Sequence, residues 1–101
     1  MVGGDEAFIV EILELYVQAS GADVQSLVNA TQRGAMDEVS RLTHTLKGAS
    51  GNVGADAMMA LCQALELALK NGATDEVAEH VTKIQDVFVQ TVAQIEKRTS
   101  A

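Results

Sequence analysis

The sequence predicts an all-α protein, an antiparallel bundle of amphipathic helices. Three observations carry that prediction. The 101 residues include no Pro, and glycines at 21, 34, 51, 54 and 72 divide the chain into short segments. A chain without Pro and with Gly-marked breaks favours helices over strands. Within the segments, apolar residues recur at three- and four-residue intervals, the spacing of one helix face. The breaks are short, and helices joined by short loops pack as antiparallel neighbours. There is no internal repeat and no low-complexity segment. This length is one domain with a single small core, so residues 1–101 are expected to fold as one unit.

Five helices are expected. The first covers residues 5–19, with Phe8, Ile12, Leu15 and Tyr16 on one face and Asp5 and Glu6 suited to its N-terminal dipole. The second covers residues 23–33 and carries Val24, Leu27 and Val28. The third covers residues 36–51; Ala35 is a poor N-cap, but Asp37 and Glu38 favour that first turn. Its core stripe is Val39, Leu42, Leu46, Ala49 and Val53. The fourth covers residues 55–70, with Met58, Leu61, Cys62, Leu65 and Leu69 as its stripe and Asn71-Gly72 as its stop. The fifth starts after Thr74. Val77, Val81, Ile84, Phe88 and Ile95 recur along it at a spacing near 3.5, with Thr91 filling the remaining seam position.

The chemistry concentrates in residues 41–54, RLTHTLKGASGNVG. At 100° per residue, His44 lies opposite the third helix's core stripe, on the wet face. Ser40 and Arg41 stand one turn before it, Lys47 and Gly48 one turn after, and Gly51 a further turn on. Each glycine costs a helix interior about 1 kcal/mol relative to Ala. What the pair offers is absence of bulk, so a partner can approach the backbone beside the imidazole. An exposed imidazole nucleophile, an ammonium within a turn and a cleared surface suit reversible capture of a phosphoryl group.

The run His44-Thr45-Leu46-Lys47-Gly48-Ala49-Ser50-Gly51-Asn52-Val53-Gly54, followed by Leu61-Cys62 and Leu65-Glu66, resembles the histidine-containing phosphotransfer family, the HPt domains of bacterial and plant phosphorelays. A lesser likeness extends from Gly4-Asp5-Glu6-Ala7-Phe8 to the last helix. The resemblance implies four bundled helices with a short additional N-terminal helix packed across one end. It implies that His44 takes a phosphoryl group from a receiver-domain aspartyl phosphate and passes it to another receiver aspartate, the receiver of a hybrid sensor kinase among the candidate partners. One family position departs mildly: the residue 22 after the histidine is often Gln and here is Glu66.

Geometry gives Glu66 a place. If the third and fourth helices turn near Val53, His44 and Glu66 differ in level by only about 3 Å. A carboxylate there can accept a ring N–H and leave the other nitrogen's lone pair free to attack. By resemblance the bonded nitrogen is Nδ1 and the attacking one Nε2. Lys47 would neutralise phosphoryl oxygens, while Arg41, Gly48 and Gly51 would meet the partner. The ordinary readings stand beside these. Lys47 alone is a solvated lysine, promoted only by its spacing from His44. Glu66 is either a positioned ligand or a surface carboxylate. Gly48 and Gly51 can instead serve close helix packing, although they lie opposite the core stripe. Cys62 is a small core hydrophobe, Met58-Met59 is packing, and His80, beside the Val77-Val81-Ile84 seam, is structural or solvent-facing.

Composition excludes other classes. A net charge of −7 argues against nucleic acid and anionic membrane surfaces. A single cysteine forbids an internal disulfide and a Cys-based zinc site. No apolar run approaches the roughly 20 residues of a membrane span, and no signal peptide is visible, so a cytoplasmic monomer is expected. There is no Gly-rich nucleotide loop, so the chain is expected to be a phosphocarrier and not an autokinase. It would have no cofactor of its own, and Mg²⁺ would come from the receiver. Two alternatives remain. One is the phospho-accepting substrate domain of a chemotaxis-type kinase, which shares the His-x-x-Lys-Gly core and often a glutamate where Glu66 stands. The other is a helical interaction module without phosphoryl chemistry.

Overall fold

A computed structural model describes residues 2–100, with side chains from residue 5 onward. It contains α1 (Val2–Gln32), α2 (Met36–Asn52), α3 (Asp56–Lys70), a 3₁₀ turn (Thr74–Glu76) and α4 (Val77–Thr99). Each helix packs against its chain neighbour and α4 closes the ring on α1, while the diagonal pairs stay apart. This is the expected all-α antiparallel four-helix bundle. Leu27, Val39, Leu46, Met58, Cys62, Leu65, Val77 and Ile84 fill its axis, all fully buried. A buried hydrogen bond joins Tyr16 Oη to Ser50 Oγ at 2.8 Å. The Tyr16 ring meets Phe88 in a tilted pair, tying α1 to α2 and to α4.

The separate short N-terminal helix does not form. The segments expected at 5–19 and 23–33 are one 31-residue helix. Gly21 sits within it, and a side chain at that position would meet the Phe88 ring at 3.7 Å. Its missing Cβ therefore lies against α4 and marks no turn. The true stops are Gly34, Gly54 and Gly72, the only described residues with positive φ, near +70°. All three close their helices the same way. The glycine N–H bonds back three residues and the following alanine N–H bonds back five, as in Ala35 N–H to Ala30 O at 2.9 Å. That is a Schellman closure, and it needs the left-handed conformation glycine adopts without penalty.

The merged helix changes which residues are core. At about 1.5 Å per residue α1 is roughly 46 Å long, against about 25 Å for α2. It sets the long axis of a molecule measuring 50 × 18 × 18 Å. Its first turns run past the α2–α3 loop, with only the end of α4 alongside, at Glu6, Ile9, Val10, Arg98 and Thr99. Leu13, Tyr16, Val24 and Leu27 face the core, whereas Phe8, Ile12 and Leu15, expected there with Tyr16, are exposed. They are apolar, but they lie off the side of α1 that carries the buried Leu13, Tyr16, Ser20, Val24 and Leu27.

Candidate functional site

The site forms where the outward face of α2 meets α3. α2 buries Val39, Leu42, Leu46 and Ser50, which turns His44 outward with 76% of its side chain exposed. α3 buries Met58, Cys62, Leu65 and Ala68, leaving Glu66 on the edge of that stripe, beside α2. His44 Nδ1 lies 3.2 Å from Glu66 Oε2. Nε2 takes part in no hydrogen bond among the described residues. With its proton on Nδ1 donated to the carboxylate, the ring presents the Nε2 lone pair to solvent. Of the two readings left open for Glu66, the positioned carboxylate is the one the geometry supports.

Lys47 is not a free ammonium. Its Nζ sits 2.6 Å from Glu66 Oε1, so one carboxylate holds both the imidazole and the lysine. This cross-link could not be read from level alone, because Lys47 and Glu66 differ by about 7.5 Å along the hairpin. Side chains tilt toward the N-terminus of their own helix. In an antiparallel pair, Lys47 therefore reaches back along α2 while Glu66 reaches down to meet it. The only readable signal is an opposite-charge pair on facing edges. The Lys47 contact, with a smaller contribution from His44 and against some burial, holds the Glu66 carboxyl below its ordinary range.

The two glycines part company. A Cβ at Gly48 would meet nothing within 4 Å, so the surface beside His44 is open there. A Cβ at Gly51 would lie 3.3 Å from Met59 Sδ. Gly51 thus admits α3 at close range, the packing role set beside docking. Arg41 is exposed and forms no ion pair among the described residues. A shallow groove lined by Met36, Asp37, Ser40, Glu66, Leu69 and Lys70 continues the α2–α3 seam beside Glu66.

The remaining candidates stay away from the site. Cys62 is fully buried, and burial, with Glu66 nearby, pushes its thiol up to about 11. That keeps it a thiol and unreactive at neutral pH. His80 is half-buried on α4, with Nδ1 enclosed and lacking a partner among the described residues. No three His, Cys, Asp or Glu side chains among the described residues cluster as metal ligands would. No described helix is long and apolar enough to cross a membrane.

A family model described as Hpt domain matches residues 11–97. The chain belongs to the Hpt domain family. Hpt domains are helical bundles that carry phosphoryl groups in two-component signalling, interact with receiver domains and have no kinase activity of their own. The match takes in all of α2 and α3, and so the whole His44 site, while the likeness of residues 4–8 lies outside it. No curated protein and no solved structure matches the chain.

Proposed function

We propose that this Hpt domain is a phosphorelay intermediate in which His44 accepts a phosphoryl group from one receiver aspartate and passes it to another. The observation that carries this reading is His44 itself. It stands on an outward helix face with Nδ1 held by a carboxylate at 3.2 Å, beside Gly48, where an added Cβ would meet nothing across the chain within 4 Å. In the forward step the Nε2 lone pair attacks the phosphorus of the aspartyl phosphate. The P–O bond breaks, and its electrons leave on the receiver's carboxylate. The ring becomes a phosphoimidazolium, still protonated at Nδ1, and Glu66 faces that positive charge. A second receiver aspartate reverses the same bond changes. Such a transfer passes through a loose, in-line transition state, so positioning and charge neutralisation supply most of the catalysis. Lys47 is the nearest cation for the phosphoryl oxygens, and the receiver supplies Mg²⁺.

Glu66 itself favours a second reading, since chemotaxis-type kinase substrate domains often carry glutamate at that place. The test of both is transfer to the parent and to His44→Gln from a phosphorylated receiver, and from an ATP-loaded kinase catalytic domain of the chemotaxis type. Rapid labelling by the receiver, absent in His44→Gln, is the expected result. Labelling by the kinase domain alone moves the assignment to the second reading. Labelling by neither leaves a helical interaction module.

A further inference from the structure

α1 carries a second stripe besides the one it buries. Phe8, Ile12, Leu15, Ala19, Ala22 and Ser26 follow one another at alternating steps of four and three residues. That is the heptad spacing of a helix that meets one other helix along a seam. The core side of α1 runs through Leu13, Tyr16, Val24 and Leu27, about a third of a turn from the stripe. Gly21 marks the flank that meets α4, and the stripe lies on the opposite flank, along α2. The bundle leaves it open. Phe8, Ile12 and Leu15 are 63%, 38% and 58% exposed, Ala19 and Ala22 are exposed, and Ser26 is half-buried.

The order of sizes along the stripe decides what fits it. The large residues, Phe8, Ile12 and Leu15, come first, and the small ones, Ala19, Ala22 and Ser26, come after. Two copies of α1 laid antiparallel, with a two-fold axis level with Val17, set Leu15 against Ala19, Ile12 against Ala22 and Phe8 against Ser26. Every layer then pairs a large side chain with a small one, the pattern by which facing helices interdigitate. The two-fold axis makes each contact twice. A parallel pair would stack Phe8 on Phe8 and Ala22 on Ala22, overfull at one end and open at the other. We propose that a second copy of this chain docks on the stripe, giving a reversible antiparallel dimer through α1.

Charges fit the same register. α1 carries acidic residues and no Lys or Arg, so a seam between copies has to keep acid away from acid. On the flank away from α2, Glu11 falls near Gln25 of the other copy, an amide that can donate to it. On the flank along α2 stands Arg41, exposed and in no ion pair among the described residues. The Tyr16–Ser50 bond fixes the levels of the two helices and puts Arg41 level with Gln25 of its own α1. Its side chain leans toward the start of α2, where the other copy's first turn arrives. Arg41 there meets Asp5 of the other copy, once on each side of the axis. The net charge of −7 on each copy opposes association, and the small residues bury little. The dimer therefore fills at high protein concentration and dissolves on dilution.

Sedimentation equilibrium tests this. The parent's average mass is expected to rise from 10.6 kDa at about 10 µM toward twice that near about 1 mM. Leu15→Glu, at a side chain already exposed, should weaken association at least about tenfold while Tm holds. Ala19→Leu adds apolar surface yet should weaken it too, because the added bulk meets Leu15 of the other copy. Adding Leu15→Ala in the same chain should restore the large–small pair and the dimer. Arg41→Glu and Asp5→Lys should each associate poorly alone, and an equimolar mixture should recover, since both cross contacts are again opposite in sign. A parent that stays at 10.6 kDa throughout overturns the proposal and leaves the stripe to another partner. Tighter association of Ala19→Leu, the mark of an unspecific apolar patch, overturns it as well, and so does a mixture no stronger than its components. Labelling of His44 by phosphoramidate, a small donor that needs no docking surface, should not change with concentration, because His44 turns toward Glu66 on α3 and away from the seam. Labelling that falls as the mass rises would put His44 inside the interface and overturn the register.

Discussion

At the scale of single residues, the site is an electrostatic arrangement more than a shape. Glu66 is its pivot, and its titration carries a stability consequence with a definite sign. Lys47 first, and His44 after it, lower the folded-state value below the ordinary 4.5. A lowered carboxyl contributes stability that is fully present above its unfolded value and lost as pH falls through the folded one. The contribution is modest, under about 1 kcal/mol, because the pair is partly solvated. Thermal melts of the parent and Glu66→Gln are therefore expected to differ at neutral pH, with the parent higher. The difference should shrink as pH falls below 4.5 and vanish once Glu66 is protonated. A gap that widens in acid would show that the carboxylate is strained in place rather than stabilised there.

At the scale of elements, glycine carries three different roles, and substitutions separate them. Gly34 stands at φ +70° in a loop, whereas Gly21 is helical, with ordinary van der Waals room at 3.7 Å from Phe88. Gly21→Ala is expected to raise Tm, through up to about 1 kcal/mol of helix propensity. Gly34→Ala is expected to lower Tm, through a loss of roughly 1–2 kcal/mol of stability, the left-handed penalty. Opposite signs in the two melts would check that α1 runs unbroken through Gly21. Gly48 is the third case. Gly48→Gln places a helix former in open space, so stability should hold or rise by up to about 1 kcal/mol. A receiver must bring its aspartyl phosphate to within about 3 Å of Nε2, and the new side chain stands in that path. Phosphorylation by a phospho-receiver should fall at least about tenfold while phosphoramidate labelling persists, a pattern that loss of positioning alone would not give. Equal transfer by the variant would show that the open surface beside His44 is not where the receiver docks.

At the scale of the whole molecule, unequal helix lengths leave one end of α1 thinly supported. Ile9 lies on the same side of α1 as Tyr16 and Leu27 yet is 39% exposed, against 0% for Leu27 further along the helix. Few packed neighbours mean low local opening free energy. Hydrogen exchange should therefore be fast for the amides of residues 5–12 and slow for those around Leu27, Leu46 and Leu65, where opening requires the bundle to come apart. Uniform protection along α1 would mean that something covers its first turns in solution.

How much of this was legible in the sequence depends on how local the deciding physics is. The core stripes of α2, α3 and α4 were readable because each helix repeats its own period, and Val39, Leu46, Met58, Leu65 and Ile84 are buried as that period predicts. His44 was readable for the same reason: a residue opposite a core stripe must face outward. Its level with Glu66 followed from the rise per residue on two sides of one short turn, and the contact at 3.2 Å agrees. Other features needed the fold. Gly21-Ala22, Gly34-Ala35 and Gly54-Ala55 are the same dipeptide, yet only the latter two end helices. The first is kept helical by α4, whose Phe88 occupies the space beside it. Phe8, Ile12 and Leu15 are as apolar as any core residue, and they are bare because the buried stripe of α1 runs through Leu13, Tyr16, Ser20, Val24 and Leu27, a direction set by where the other helices stand. The Lys47–Glu66 contact and the closeness of Gly51 to Met59 belong to the α2–α3 interface. There, the direction and length of side chains from two helices decide what touches, and one helix's periodicity holds no record of the other's position.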